Sequence, residues 1–230
     1  MLDPKDRVAM VSGAGRGIGR AVVERLLASG FLVSAGVRSA RGLAPNDRLH
    51  VQKYDAESTE DAAAWVDAAV ARFGRLHALV NAAGINPVFT VTDEDETALD
   101  ALWTVNVKGP LRLTRLALPH LRASGEGRVV NLSSLSGKRV ANPSAGYAMS
   151  KFAVVALTHA IRREGWEDGV RATALCPGFV DTDMTAAAQF PREQMTRPTD
   201  LAVLAEMLLL LPGNAVVAEL LVNCRLETVI

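Results

Sequence analysis

Short apolar runs that end in small or polar residues alternate through this chain with longer stretches whose apolar residues recur at helical spacing. The runs Arg7–Ser12, Phe31–Val37, Arg48–Lys53, His77–Val80, Arg128–Leu132, Val170–Leu175 and Ala215–Val222 read as strands. Helical patterns cover Ile18 to near Gly30, Thr59 to Phe73, Leu99 to Ala123, the stretch through Tyr147 to about Gly165, and Thr199 to Leu211. Pro110 and Pro119 leave the third of these kinked or split in two. The acidic run Asp93-Glu94-Asp95-Glu96 suits a helix start, where carboxylates meet the positive end of the dipole. Strand alternating with helix calls for a parallel sheet covered on both faces, an α/β, doubly wound architecture. No repeat, linker or low-complexity tract interrupts it, so one domain is expected over residues 1–230.

The first strand runs into Gly13-Ala14-Gly15-Arg16-Gly17-Ile18-Gly19, and Val22, Val23, Leu26 and Leu27 continue at helical spacing. Strand, glycine-rich turn and helix are the context that a dinucleotide-binding turn requires. Glycine permits a tight turn and close approach to a pyrophosphate, whose charge sits at the helix N-terminus. After the second strand an NAD site usually places an acidic residue for the ribose 2′-hydroxyl. Here the chain reads Gly36-Val37-Arg38-Ser39, so Arg38 and Arg16 are expected to clamp a 2′-phosphate and to favour NADP(H). Charge-assisted hydrogen bonds of roughly 1.5–3 kcal/mol each amount to one or two decades of preference. Asp55, after the third strand, is placed either to hold an adenine amino group or to cap the next helix. The small residues of Asn81-Ala82-Ala83-Gly84 permit close packing against the first turn and a cofactor. The glycine turn, Asp55, Asn81, Ser134 and Gly178 all fall at carboxyl ends of strands, the edge where open α/β sheets bind ligands.

Tyr147 and Lys151 stand four residues apart, which on a helix puts both on one face. A phenol with a pKa of about 10 exchanges protons poorly at neutral pH, and a nearby ammonium favours the phenolate. A tyrosine tuned in this way can pass a proton to or from an alcohol or carbonyl oxygen.

Charge balance narrows the partners. Lys and Arg number 25 against 25 Asp and Glu, which speaks against a general nucleic-acid or anionic-membrane binder. Cys176 and Cys224 show neither metal-ligand spacing nor a disulfide framework, and no metal site is expected. The N-terminus is polar, without a signal-peptide core, and the most apolar run, Leu201 to Leu211, is too short to span a bilayer. A cytoplasmic protein acting on a small molecule is the expectation.

Taken together, the motifs strongly resemble the classical short-chain dehydrogenase/reductase superfamily from Arg7 to about Val222. Ser12-Gly13-Ala14-Gly15-Arg16-Gly17-Ile18-Gly19 matches its cofactor turn, and Asn81-Ala82-Ala83-Gly84 the segment after the fourth strand. Asn106-Val107-Lys108-Gly109 matches the helix asparagine motif, and Ser134 precedes Tyr147 by the usual interval. Tyr147-x-x-x-Lys151 and Pro177-Gly178-x-Val180-x-Thr182 complete the set. The resemblance implies a Rossmann-type, seven-stranded parallel sheet and NADP(H)-dependent interconversion of a carbonyl and a secondary alcohol. It also implies roles for individual residues. Tyr147 acts as general acid/base, Lys151 lowers its pKa and binds the nicotinamide ribose, and Ser134 binds the substrate oxygen. Asn106 holds a relay water, and Thr182 contacts the carboxamide. Family members with a basic residue at the places of Arg16 and Arg38 prefer NADP(H). The helices around Asn106 and Tyr147 usually form a subunit interface, which implies a homodimer or homotetramer.

Several positions depart from the pattern. Ser12 stands where threonine is usual, Asn81-Ala82 where two asparagines are common, and Asn223-Cys224-Arg225 where the family ends on aspartate-glycine-glycine. The segment after the second strand is too short for its usual helix, and the substrate loop at about 182–198 is compact. Two other functions compete. A serine hydrolase built on Ser134 lacks the Gly-x-Ser-x-Gly elbow, and His159 is placed as a packed or surface histidine. A non-catalytic NADP(H)-binding sensor on the same fold is opposed by four filled catalytic positions. Asn86, Leu135, Val140, Phe179 and Met184 are expected to line the substrate pocket, a mostly apolar set without a basic anchor.

Overall fold

A computed structural model describes residues 1–39 and 42–227; Ala40 and Arg41, in the expected loop from Ser39 to Asp47, lie outside the described residues. The strands are β1 Val8–Ser12, β2 Leu32–Val37, β3 Leu49–Lys53, β4 Ala78–Asn81, β5 Arg128–Leu132, β6 Arg171–Pro177 and β7 Glu219–Val222. They form one sheet in the order β3-β2-β1-β4-β5-β6-β7, and every pairing is parallel. The chain winds outward from β1 to β3 and returns to lay β4 on the other side of β1. That makes the carboxyl ends of β1 and β4 the switch point, where such sheets open a crevice.

The helices are α1 Gly17–Ser29, α2 Thr59–Phe73, α3 Thr97–Leu102, α4 Gly109–Ala123, α5 Ala145–Gly165 and α6 Pro198–Leu210. Along β1 the side chains alternate between two cores, because successive residues of a strand face opposite sides. Ala9 and Val11 pack with Val22, Val23 and Leu26 of α1 and Ala205 and Leu209 of α6. Val8 and Met10 pack with Trp65 and Val66 of α2, Leu113 and Ala117 of α4, and Ile161 of α5. A strand buried on both faces has no room for a polar side, which is why these runs are almost wholly apolar.

One expectation holds and two change. No helix forms between β2 and β3 among the described residues, in keeping with that short segment. The last strand begins at Glu219, not Ala215, because the Ala215 N–H closes a turn on the Pro212 carbonyl and the Thr173 hydroxyl takes the Val217 carbonyl. The acidic run stays outside the helix that begins at Thr97: Asp93 accepts from the Thr90 N–H and Asp95 from the Thr97 N–H.

Packing is closest where β2 meets α2. A Cβ on Gly36 would lie 2.5–2.8 Å from the ring of Trp65, which is fully buried and held by its indole N–H on Ser34 Oγ at 2.8 Å. A trapped ring cannot swing away, so Gly36→Ala is expected to destabilise the fold by about 2 kcal/mol through overpacking. Denaturant unfolding of the two proteins measures it; an unchanged midpoint would show that the ring can move.

Candidate active site

The crevice is built from four loops at the carboxyl edge of the sheet. The first is the glycine turn. Gly13 adopts φ +65°, and a Cβ there would press to 2.8–2.9 Å on the backbone of Ala82 and Ala83. Gly17, at φ +55°, opens α1 and comes within 3.3 Å of the Thr182 methyl group by the same construction. Gly19 packs on the Gly13 carbonyl, Gly15 is exposed, and Ile18 faces the cleft. The first turn of α1 holds no acidic residue, so nothing on its own helix offsets the positive dipole end.

The second loop is tied to the first by one hydroxyl. Ser12 Oγ, buried, accepts the N–H groups of Ala82 and Ala83 at 3.0 and 3.1 Å. Ser12 therefore holds the two loops together, a bond that its serine supplies as well as a threonine. Of the expected cofactor-binding residues, Asn81 has its side chain buried in the sheet. It donates to Asn131 Oδ1 at 2.8 Å and Thr114 Oγ1 at 3.2 Å, which leaves only its main chain to a ligand. Asp55 is half-buried at the end of β3 and accepts the Glu57 N–H, whereas Ser58 caps α2; the capping alternative for Asp55 does not hold.

The third loop follows β5 and carries Ser134, which α5 faces with Tyr147 and Lys151. Ser134 Oγ takes the Ser136 N–H at 3.0 Å as it caps a short turn. Lys151 is buried, and its Nζ donates to the Leu132 carbonyl at 2.7 Å while lying 5.6 Å from the Tyr147 ring centroid. At Tyr147 burial outweighs any lowering by this ammonium. Burial pushes Tyr147 up to about 12, and it is a hydrogen bond from Ser134 that pulls the other way. Burial likewise pushes Lys151 down to about 8.

Asn106 sits next to this pair in a π-helical turn, Trp103–Lys108, that joins α3 to α4. The wider turn is the break that Pro110 foreshadowed, and such turns collect at functional sites. The Asn106 amide is committed within the protein: it donates to the Ile85 carbonyl and Ser150 Oγ and accepts the Ile85 N–H. Pro110 has no N–H to give to the Asn106 carbonyl four residues before it. Gly84 keeps the space open, since a Cβ there would meet Asn106 Oδ1 at 3.3 Å and Lys151 Nζ at 3.8 Å.

The fourth loop follows β6. Pro177 ends the strand, the Gly178 N–H donates to the Val222 carbonyl, Val180 is buried, and Thr182 caps a short turn over Gly17. Between the loops lies a cleft of about 280 Å³ that brings Ile18, Ser134, Tyr147, Pro177, Gly178, Val180 and Thr182 together. Asn86, Leu135, Phe179 and Met184 line it as expected, but Val140 is exposed elsewhere. Sequence reasoning missed Arg139, Asn142, Asn223, Arg225 and Glu227, so the expected apolar wall without a basic anchor is corrected. Arg16 and Arg38 are both exposed; Arg16 pairs with Asp183 at 2.9 Å.

No helix among the described residues is long and apolar enough to cross a membrane. Nor do three or more His, Cys, Asp or Glu among them gather as a metal ion would need.

A family model described as short chain dehydrogenase matches residues 7–192. An agropine synthesis reductase of Rhizobium rhizogenes is 41% identical over 229 residues, covering 96% of this chain but 53% of the relative. The chain thus spans about half the length of that relative. An uncharacterized oxidoreductase of Staphylococcus saprophyticus subsp. saprophyticus is 31% identical over 97% of this chain and 99% of its own. Among solved structures, the 3-ketoacyl-(acyl-carrier-protein) reductase from Brucella melitensis, complexed with NADH, is similar with a TM-score of 0.87. It is 26% identical and covers 96% of this chain and 98% of that one. A short chain dehydrogenase from Burkholderia cenocepacia in complex with NADP gives a TM-score of 0.84 at 26% identity, over 96% and 90% of the two chains.

The buried lysine has a measurable signature. The unfolded chain holds the Lys151 proton up to its ordinary value of 10.5, the folded chain only up to about 8. Between those values the unfolded state binds more protons, so stability rises with pH there. Relative to Lys151→Met, the natural protein is expected to gain stability by about 2–3 kcal/mol between pH 8 and 10.5. Urea melts of both proteins across that range check it; parallel curves would mean that Lys151 titrates as an exposed lysine.

Proposed function

Because this chain belongs to the short-chain dehydrogenase/reductase family, we propose that it is an NADP(H)-dependent oxidoreductase that interconverts a carbonyl and a secondary alcohol on Tyr147. The observation that carries the reading is the meeting of Tyr147 and Ser134 in one cleft with Ile18 and Thr182, beside the glycine turn. The site suits a dinucleotide: the cradle at Gly13 and Gly17 admits no side chain, and the N-terminus of α1 is free of acidic residues. Ser12, Gly13, Gly15, Arg16, Gly17, Ile18, Gly19, Ala82, Gly84, Pro177, Gly178, Val180 and Thr182 would hold it, with Asp55 near the adenine. The nicotinamide, when bound, supplies or accepts the hydride.

The remaining work falls to this chain's own side chains. As a carbonyl carbon is reduced, negative charge grows on its oxygen, and the Ser134 hydroxyl and the Tyr147 phenol are two donors aimed at that charge. Burial keeps the Tyr147 phenol protonated through the neutral range, the form that donates as a carbonyl is reduced. Lys151, charged below about 8, binds the nicotinamide ribose and returns a proton toward Tyr147. A water on the Asn106 carbonyl links that path to solvent.

Arg16 and Arg38 select the 2′-phosphate. The Arg16–Asp183 pair does not stand in the way, because an exposed ion pair contributes about 0–1 kcal/mol and yields to a phosphate. The relatives' names suggest a reductase step, and agropine synthesis is one setting for it. Trp103, Leu111, Met149 and Phe152, exposed on and around α4 and α5, are the face on which a homodimer or homotetramer would form. Two free thiols suit a reducing cytoplasm.

Tyr147→Phe keeps the ring and removes the proton. It is expected to lower turnover by about 10²- to 10⁴-fold while leaving NADPH binding by calorimetry intact; undiminished turnover would point to the sensor. Arg38→Gln is expected to weaken NADPH about tenfold or more and NADH hardly at all. Equal losses for the two cofactors would refute the clamp.

A further inference from the structure

The wall of the cleft farthest along the chain is built from charge. Glu227 and Arg139 form a two-bond ion pair there, Nε to Oε2 at 2.9 Å and Nη2 to Oε1 at 2.7 Å, with both side chains close to buried. That pair fastens residues 223–227 across the cleft mouth, with Asn223, Cys224 and Arg225 all lining it. Arg225 is held differently. Its guanidinium stands over the ring of Phe179 at 5.5 Å and near that of Phe190 at 5.7 Å, the two rings being stacked 5.2 Å apart. Its Nε also forms an ion pair with Glu227 at 3.7 Å, longer than either bond from Arg139. Contact with a ring face restrains a guanidinium without consuming its N–H donors.

The charges do not cancel. Arg139, Arg225 and Glu227 are the charged side chains lining the cleft among the described residues, two positive against one negative. The acids nearest along the loop are already paired, Asp181 with Arg192 and Asp183 with Arg16. Glu227 pairs with both arginines, more closely with Arg139, so one positive charge is left over, and Arg225, half exposed and on the longer pair, is the arginine free to offer it to a ligand. Neutral hydrogen-bonding groups, Asn86, Asn142 and Asn223, share the cleft.

We propose that the substrate is a carbonyl compound bearing a carboxylate, and that Arg225 receives that carboxylate while Tyr147 and Ser134 receive the reacting oxygen. The inference rests on the reductase reading above. A carboxylate fits better than a phosphate on two counts. One surplus positive charge matches a monoanion, and the Glu227 carboxylate beside Arg225 repels a dianion more strongly. The planar fork of the guanidinium also matches a carboxylate with two parallel bonds. Arg139 and Glu227 are positioning residues, since they hold the segment that carries Arg225.

The test pairs oxo acids with their methyl esters, beginning with levulinate and methyl levulinate, and assays each with NADPH. The natural protein is expected to use the acid about tenfold or more better in kcat/KM, as one charge-assisted pair allows. In Arg225→Gln the acid-to-ester ratio should collapse, chiefly through the KM of the acid, and Arg225→Lys should keep part of it. Acid and ester used equally, or a ratio unmoved in Arg225→Gln, would overturn the assignment while leaving the reductase standing. A phosphorylated ketone preferred over every acid, with the same dependence on Arg225, overturns the carboxylate in favour of a phosphate. If no oxo compound turns over and NADPH does not bind, the reductase reading fails and this inference falls with it.

Discussion

One buried ammonium determines how the active side of this molecule is put together. Lys151 projects from α5 to the Leu132 carbonyl at the end of β5, and its own carbonyl accepts Ser133 Oγ at 2.9 Å. A charge taken out of water is tolerated only with good partners. The bonds to Leu132 and Ser133 therefore lock α5 onto the end of one strand at a single height. Gly137 completes the lock, because a Cβ there would lie 2.6 Å from the Lys151 carbonyl. With α5 set at that height, Tyr147, one turn earlier, can only face Ser134.

Around this lock runs a set of buried polar ties where apolar packing alone would permit slippage. Asn81 on β4 bonds Asn131 on β5, which donates in turn to Thr158 of α5, while Asn81 also reaches Thr114 of α4. Asn106 joins the loop after β4 to Ser150 of α5. Apolar contacts are non-directional and their strength follows area; a buried hydrogen bond has one register, and breaking it strands a polar atom at about 1–3 kcal/mol. The catalytic side of the sheet, where β4, β5, α4 and α5 meet, thus carries directional bonds. On the opposite face α1 packs on the sheet through Val22, Val23 and Leu26, and its side-chain bonds beyond the helix go to the buried Glu206 of α6.

How far the sequence foretold this depends on the range over which each signal acts. Strand runs and helical periodicity are local, and six of the seven strands fall within one or two residues of their expected ends. The glycine turn and the Tyr147–Lys151 spacing are also local, and both stand where they were read. The inward turn of the Asn81 side chain was not legible, because position at a strand end does not say which way a side chain points. Four residues on a helix predict the proximity of Tyr147 and Lys151, but not the burial that raises the phenol or the Leu132 carbonyl, on another element, that engages the ammonium. The charged wall was out of reach altogether. Arg139 and Glu227 meet across 88 positions, and nothing local marks either as half of a pair.

The same difference in range separates what is common to such a fold from what is particular to this chain. The glycine turn, Ser12, Asn106 and the lock at Lys151 are anchored to strands buried on both faces, so their geometry follows from the sheet. Arg225 and Glu227 lie beyond the last strand, whose residues are all only half-buried, and depend on Arg139 rather than on the core for their position. Exchanging the residues after Val222 would therefore redraw one wall of the cleft while leaving Tyr147, Ser134 and Lys151 where they are. The segment that carries Arg225 thus hangs on one ion pair, whereas Lys151 is held by a buried strand end.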